Sequence, residues 1–453
     1  MRLTAFKAYD VRGRLGKDLD EGIVCRIARA FAIETGARRV VIGRDCRSSS
    51  PALADAVAGG LMAAGAEVLD LGLAGTEEMY FAVSHLGADG GITVTASHNP
   101  MDYNGLKMVG AGSVPLEGAV FQAIRARAGA EDAAPGTGRR QLRPDLRAAY
   151  VSHVLAFLDP EALRPLLVLV NSGNGAAGPT FDAIAEALAT LGAPIRFQRL
   201  HHQPDGRFPN GIPNPLLPEN QPVTGAAVRA AGADLGVAFD GDFDRCFLFD
   251  ATGAFVPGEY VVGLLAQVFL QREPGATVVH DPRVIWNTQD LVARAGGQAE
   301  LAPTGHVFLK RAMRATGAVY GGELSAHHYF RDFMCCDSGM IPWLLVAGLM
   351  GRTGRSLADL VAERRAAFPS SGEINFRVPD AAAAMARVEV ALAAGALSQD
   401  RTDGLSLAFA DWRLNLRASN TEPLLRLNVE ARGDARLVSA GVERVRALVA
   451  GPA

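Results

Sequence analysis

Cysteine is scarce in this chain: five among 453 residues (Cys25, Cys46, Cys246, Cys335 and Cys336), none spaced as Cys-x-x-Cys. That excludes a disulfide-stapled fold and a zinc site built on paired cysteines, and it fits a reduced, cytoplasmic protein. An excess of one charge is also lacking. Lys and Arg number 45 and Asp and Glu 48, a net −3, so neither a nucleic-acid footprint nor a basic membrane face is expected. No run is apolar enough to cross a bilayer, because the most apolar long stretch, 381–397, is broken by Arg387 and Glu389. Lys7, Asp10, Arg12 and Arg14 crowd the N-terminal region with no apolar core between them, unlike a signal peptide. Any anionic ligand must therefore be met by local clusters of Arg and Lys.

What is present is apolar substance: 49% hydrophobic residues and 21% charged ones, over a length that predicts about three or four domains. In the first, 1–145, a short strand over 6–13 precedes a helix with Ile23, Ile27, Ala30, Phe31 and Ile33 on one face. A buried strand over 38–45 then releases Arg44, Asp45 and Arg47 at its end. Ser48–Ser50 and Pro51 start a helix to about Ala64, and a strand (66–72), a helix (78–86) and a strand (91–95) follow. Strand–helix alternation predicts a mainly parallel sheet covered on both faces. A polar segment, 129–144, reads as a linker.

The second domain, 146–250, repeats the pattern from a strand at 166–170, and the third, 251–365, from a strand at 276–280. With the strand at Val40, these recur at domain-sized spacing and each ends in an Asp- or Asn-bearing turn, a weak internal triplication. The glycine string 171–178 matches neither a dinucleotide fingerprint nor a Walker loop and reads as a turn into a helix. The proline-rich run 204–218 is too long for a simple connection. The last domain, 366–453, orders strand (372–378), helix (381–397), three strands (405–409, 412–416, 424–430) and helix (436–449), an α+β pattern on an antiparallel sheet.

Four stretches carry chemistry. Thr93–Lys107 runs a strand into Ser97, His98 and Asn99, with Pro100 ending regular structure and Asn104-Gly105 predicted to turn. Ser97 beside His98 and Lys107 has the pattern of a nucleophile with an acid/base partner and a phosphate-pairing cation. The plain alternative is a turn whose Ser and Asn bond their own backbone. Asp240, Asp242 and Asp244 alternate on a turn after a strand and can converge oxygens on one hard divalent cation. A calcium loop would need Gly and Glu where Arg245 and Ala251 stand. Glu323, Ser325 and His327 alternate, so an extended segment would point all three one way, suited to sugar hydroxyls. Arg417, Ser419, Asn420 and Thr421, ahead of Arg426, have the donors of a phosphate cradle. His306 and Lys310 follow another strand and add weaker support. A metal, a nucleophile, a polyol reader and a phosphate cradle together suit a sugar phosphate.

Thr-Ala-Ser-His-Asn-Pro (95–100), Asp-Gly-Asp-Phe-Asp-Arg (240–245), Gly-Glu-Leu-Ser-Ala-His (322–327) and Arg-Ala-Ser-Asn-Thr-Glu-Pro (417–423) together resemble the α-D-phosphohexomutases. Tyr9, Asp10, Arg12 and Gly13 fit that family's N-terminal motif. The likeness runs the length of the chain, and 321–333 and 337–343 are most similar to bacterial phosphomannomutases. It implies three similar α/β domains with mixed, mainly parallel sheets and a C-terminal α+β domain, TATA-box-binding-protein-like, around a central active-site cleft. It implies a phosphorylated Ser97 with Mg2+ on that phosphate, Asp240, Asp242 and Asp244. His98, Lys107, Arg12, Arg245 and His306 fall in the catalytic set. Tyr9, Arg283, Glu323, Ser325, His327, Arg417, Ser419, Asn420, Thr421 and Arg426 fall in the substrate-binding set.

The expected activity interconverts mannose 6-phosphate and mannose 1-phosphate through a hexose 1,6-bisphosphate, which also activates the enzyme. The alternatives are a glucose-phosphate or dual-specificity mutase and, in another class, a metal-dependent sugar phosphatase. Ala326 where many dual-specificity members have Gly, and Arg283 where some have Lys, bear on the sugar rather than on the reaction. Small hexose phosphates are the expected partners, with no nucleic acid or membrane, in a monomer or weak homodimer.

Overall fold

A computed structural model describes residues 3–130, 137–418 and 424–451. The chain forms two compact units, Met1–Phe255 with His327–Gly354, and Val256–Ala326 with Arg355–Ala453.

In the first unit, β1 (Val11–Arg14), β2 (Arg39–Arg44), β3 (Glu67–Leu73), β4 (Gly90–Val94), β5 (Tyr103–Gly110) and β6 (Arg140–Leu142) make a sheet ordered β1-β5-β4-β2-β3-β6. β2 runs parallel to β3 and β4, while β5 lies antiparallel to β4 and β1. Val40, Val41 and Ile42 are fully buried, as a strand covered on both faces requires. Helix α1 (Glu21–Thr35) starts where the Asp20 carboxylate accepts from Ile23 N, and it ends at Gly36 with φ 69°. It packs on α2 (Ser50–Ala63) so closely that a Cβ at Gly60 would clash with Cys25 O. Four strands of a second, five-stranded sheet run in the order β10-β9-β7-β8: β7 (Leu166–Asn171), β8 (Ile195–Leu200), β9 (Leu235–Phe239) and β10 (Cys246–Asp250). Its centre, Leu235 to Phe239, is wholly buried.

In the second unit, parallel strands at Thr277–His280, Gln298–Leu301 and Tyr320–Gly322 carry the third α/β theme. The C-terminal sheet is wholly antiparallel: Ser370–Arg377, Leu424–Ala431, Trp412–Ala418, Leu405–Ala408 and Ser398–Asp400, in that order. Helices Ala381–Leu392 and Ala435–Ala450 share its apolar core with Leu407, Leu416, Leu427 and Val429.

The triplication has a local physical form. The carboxylate or amide ending each leading strand accepts the backbone N–H two residues on: Asp45 from Arg47 (2.9 Å), Asn171 from Gly173 (2.9 Å), Asp281 from Arg283 (3.0 Å). These side chains mimic a backbone turn and release the next residues beyond the sheet.

Four expectations change. Asn104-Gly105 is no turn; both lie in β5, and the turn falls at Met101 and Asp102. Gly105 is required there because a Cβ would clash with Val11 O, while Asn104 donates to Ser49 and Ser50. The first strand is Val11–Arg14 rather than 6–13. The linker at 129–144 contains β6, an added edge of the first sheet, and its residues 131–136 lie outside the described ones. The helix from Ala381 stops at Leu392, where a short turn, Ala393–Gly395, leads to the edge strand Ser398–Asp400.

Candidate active site

Ser97 leaves β4 with φ 48°, a conformation costly for a residue with a Cβ. Arg47 holds it there. Its guanidinium, 1% exposed, donates to four carbonyls of the loop: Ser97 O (3.0 Å), Asn99 O (2.5 Å), Pro100 O (2.9 Å) and Tyr103 O (3.2 Å). Asp45 pairs with its Nε at 3.4 Å, and the Phe208 ring lies 5.4 Å from its carbon. One planar fork thus satisfies a loop that has no ladder of its own. Arg47→Met leaves those carbonyls and Asp45 without their charged partner inside the protein. We expect a stability loss of about 3–5 kcal/mol in urea unfolding.

Around the Ser97 hydroxyl the structure assembles residues more than a hundred positions apart. Oγ donates to Asp240 Oδ2 (2.6 Å), lies 3.0 Å from His98 Nδ1, and accepts from Arg245 Nη2 (3.4 Å). Arg245 also donates to Asp240 Oδ2 from Nε (3.0 Å) and Nη2 (2.7 Å), and to His98 Nδ1. Nδ1 is therefore an acceptor and the ring proton sits on Nε2. Burial, then the Arg245 and Arg12 cations, holds His98 well below the usual imidazole range, so the ring is neutral. Arg12 donates to Asn99 Oδ1 at 2.7 Å, on the outer side of the same loop. Tyr9 is half-buried in the bend before β1.

Asp240, Asp242 and Asp244 are almost completely buried, and their carboxylates converge within 4.8 Å. Each is half satisfied. Oδ2 of Asp242 accepts from Lys107 (2.8 Å) and from Thr76 (2.6 Å), and Asp244 Oδ2 accepts from Lys107. Oδ1 of all three is buried with no hydrogen-bond partner among the described residues. Three converging carboxylates in a dry site, each with one oxygen left unpaired, suit a divalent cation, so the residues fit one. Burial alone would raise Asp242, but the charge and hydrogen bond of Lys107, with Thr76, hold it well below the usual range. Burial and the neighbouring Asp242 push Asp244 up despite Lys107. Burial opposes the charge on Lys107 itself, yet Asp242 and Asp244 outweigh it and raise the ammonium.

Glycine brings the two loops together: a Cβ at Gly241 would clash with Ser97 O. Gly241 O in turn accepts from Ala176 N (3.0 Å), so the glycine string 171–178 supports the acidic loop. His327 packs in this unit as well, with Nδ1 2.9 Å from Asp337 Oδ2 and within 4.8 Å of the Asp244 carboxylate.

The segment 323–326 is a turn rather than an extended strand, closed by Ala326 N to Glu323 O (3.0 Å) with Ala326 at φ 69°. Alternation therefore does not align the three side chains: Glu323 and Ser325 belong to the second unit and His327 to the first. The turn forms because Asp281, buried under it, accepts from Leu324 N (2.8 Å). Arg283 lies beneath, donating to Asp281 (2.6 Å) and Ser325 Oγ (3.2 Å). Glu323 accepts from Gly305 N (2.9 Å), next to His306 at the start of the helix His306–Thr316. Arg417 and Arg426, directly opposite each other on paired strands, both approach Glu373. Ser419, Asn420 and Thr421 lie outside the described residues. Arg47 was visible in sequence only as a polar strand end, and Thr76 and Glu373 gave no signal there. Each acts through a partner distant in the chain.

Four sequence families match in order: phosphoglucomutase/phosphomannomutase alpha/beta/alpha domains I (3–135), II (148–253) and III (257–368), and the C-terminal domain (373–448). The chain is 56% identical to the phosphomannomutase of Salmonella montevideo over 99% of each sequence. It is 54% identical to that of Escherichia coli K12 over 97% of each. The crystal structure of a phosphoglucomutase/phosphomannomutase family protein from Burkholderia thailandensis superposes with a TM-score of 0.86 at 33% identity, covering 99% of this chain and 98% of that one. The chain belongs to the phosphoglucomutase/phosphomannomutase family. It is thus an isomerase of the mutase type, in a family that uses a metal ion.

Proposed function

We propose that the chain interconverts mannose 6-phosphate and mannose 1-phosphate, with Ser97 as the phosphoryl carrier, Mg2+ on Asp240, Asp242 and Asp244, and a hexose 1,6-bisphosphate as intermediate and activator. The observation that carries this reading is the Ser97 hydroxyl bonded to Asp240, one of three converging buried carboxylates that each keep an oxygen with no partner among the described residues. The names of the full-length relatives supply the sugar. A divalent ion there would neutralise charge on the transferring phosphoryl oxygens.

The protein's own residues do the rest. The bond from phosphorus to Ser97 Oγ breaks as a bond forms to the free sugar hydroxyl, whose proton passes to an imidazole. His98, held neutral, and His306 are the candidates. Lys107, raised and fixed on β5, and Arg245 supply fixed positive charge. Glu323 and Ser325 would hold sugar hydroxyls, and Arg417, Ser419, Asn420 and Thr421 the phosphate that is not reacting, to which we add the guanidiniums of Arg283 and Arg426. Arg12, Tyr9 and His327 complete the contacts. The bisphosphate then exchanges its two ends, and Ser97 takes back the other phosphoryl group. The five free thiols, two of them partly exposed, support a reducing cytoplasm, and the functional unit is a monomer or weak homodimer.

Added hexose 1,6-bisphosphate tests the reaction. We expect it to prime turnover while its own concentration stays constant; steady release of inorganic phosphate would instead mark a phosphatase. Mannose 1-phosphate and glucose 1-phosphate compared under that priming decide the sugar, and we expect the mannose compound to turn over faster.

A further inference from the structure

Glu373 has no role in that reading, yet the second unit is built to aim it. It sits on the strand Ser370–Arg377 just past an irregularity in pairing between Ser370 and Glu373, where Gly372 takes φ 64°. An extra residue of this kind re-aims the side chain that follows. The carboxylate lies 2.9 Å from Arg417 Nη2, 3.5 Å from Arg426 Nη1 and 3.8 Å from Arg283 Nη1. Those are the three guanidiniums assigned above to the phosphate. The Nε of each is buried with no hydrogen-bond partner among the described residues, so the donors exceed what Glu373 can accept.

Charge counting gives the carboxylate a purpose. Asp281 neutralises Arg283 at 2.6 Å, with Glu323 farther off at 3.9 Å, and Asp403 lies 3.9 Å from Arg417 Nη1, so Arg417 and Arg426 face a phosphate dianion with part of their charge already offset. Glu373 is the nearer carboxylate to Arg417 and is shared with Arg426 and Arg283 as well, so it offsets most of what remains. A cradle that bound phosphate with all its charge would hold substrate and intermediate alike, and uniform tight binding does not speed a reaction whose intermediate must let go and turn.

We infer that Glu373 is an internal counter-anion that competes with the substrate phosphate for Arg283, Arg417 and Arg426, keeping the cradle loose enough for the bisphosphate to exchange ends. This rests on the assignment of those arginines to the phosphate. The other role open to Glu373 is to relieve the repulsion of Arg417 and Arg426, which face each other across paired strands. The two roles predict opposite results.

Calorimetric titration of the full chain with inorganic phosphate separates them. Glu373→Gln keeps the size and removes the charge; we expect phosphate to bind about tenfold tighter than to the wild type, with kcat and KM for the hexose phosphate both falling. Glu373→Ala should shift affinity the same way. Unchanged or weaker phosphate binding in both variants, with a lowered Tm, would make Glu373 a structural spacer and overturn the inference. Arg417→Met guards the premise, because it should weaken phosphate binding. Wild-type affinity in that variant would remove the cradle, and the inference with it.

Discussion

We expect Ser97→Ala to abolish mutase turnover, by about 10^4-fold or more, while hexose phosphate binding stays near the wild-type value. The reason is local. In the reading proposed above Oγ carries the phosphoryl group, and it is placed by Arg47 on the carbonyls of residues 97–103 and by Asp240, which accepts its hydrogen bond. Alanine removes that atom and leaves the four carbonyl bonds of Arg47 intact, so the loop should persist. A coupled assay primed with bisphosphate measures the loss, and mass spectrometry should find phosphate on residue 97 in the wild type. Residual turnover within tenfold of the wild type would show that phosphate travels by another residue.

Asp242→Asn should weaken divalent-ion binding at least about 100-fold and reduce turnover in parallel. Asp242 is held from two sides: Thr76 and Lys107 both donate to its Oδ2, which leaves Oδ1 buried and without a partner among the described residues. Asparagine keeps the volume but halves the anionic partners of Lys107 and removes one charged metal ligand. Titration with Mg2+ or Mn2+ in a calorimeter reads the affinity directly, and excess ion should restore part of the activity. A variant that bound metal like the wild type would show that the triplet is not the metal site.

Much of this was legible in the chain itself. The buried strands at Val40, Leu166 and Thr277, the Asx turns that end them, and the antiparallel C-terminal order are local patterns, fixed by periodicity and by side chains that bond their own backbone. So is the acidic loop, because three carboxylates at alternate positions of one turn start close together in the chain. The readings that changed share one cause. Asn104-Gly105 has the chemistry of a tight turn, yet strand pairing on both sides, and the close approach of Val11 O that only glycine allows, place it in β5. Glu323, Ser325 and His327 alternate, but a buried Asp281 bends the segment into a turn.

By itself the sequence determined which residue types are available and which of them lie together on one strand end or one loop: Ser97 with His98, the three aspartates with Arg245, Arg417 ahead of Arg426. The tertiary structure decided which atoms of those groups are already spent. Asp240, Asp242 and Asp244 each give one oxygen to a cation or hydroxyl from elsewhere in the chain and keep the other without a partner among the described residues. Arg47 clamps a loop fifty residues away, and Glu373 lies among three guanidiniums from three other segments. Hydrogen bonds and charge pairs at that sequence separation exist only after folding has brought the partners together and excluded water. No local pattern could record them.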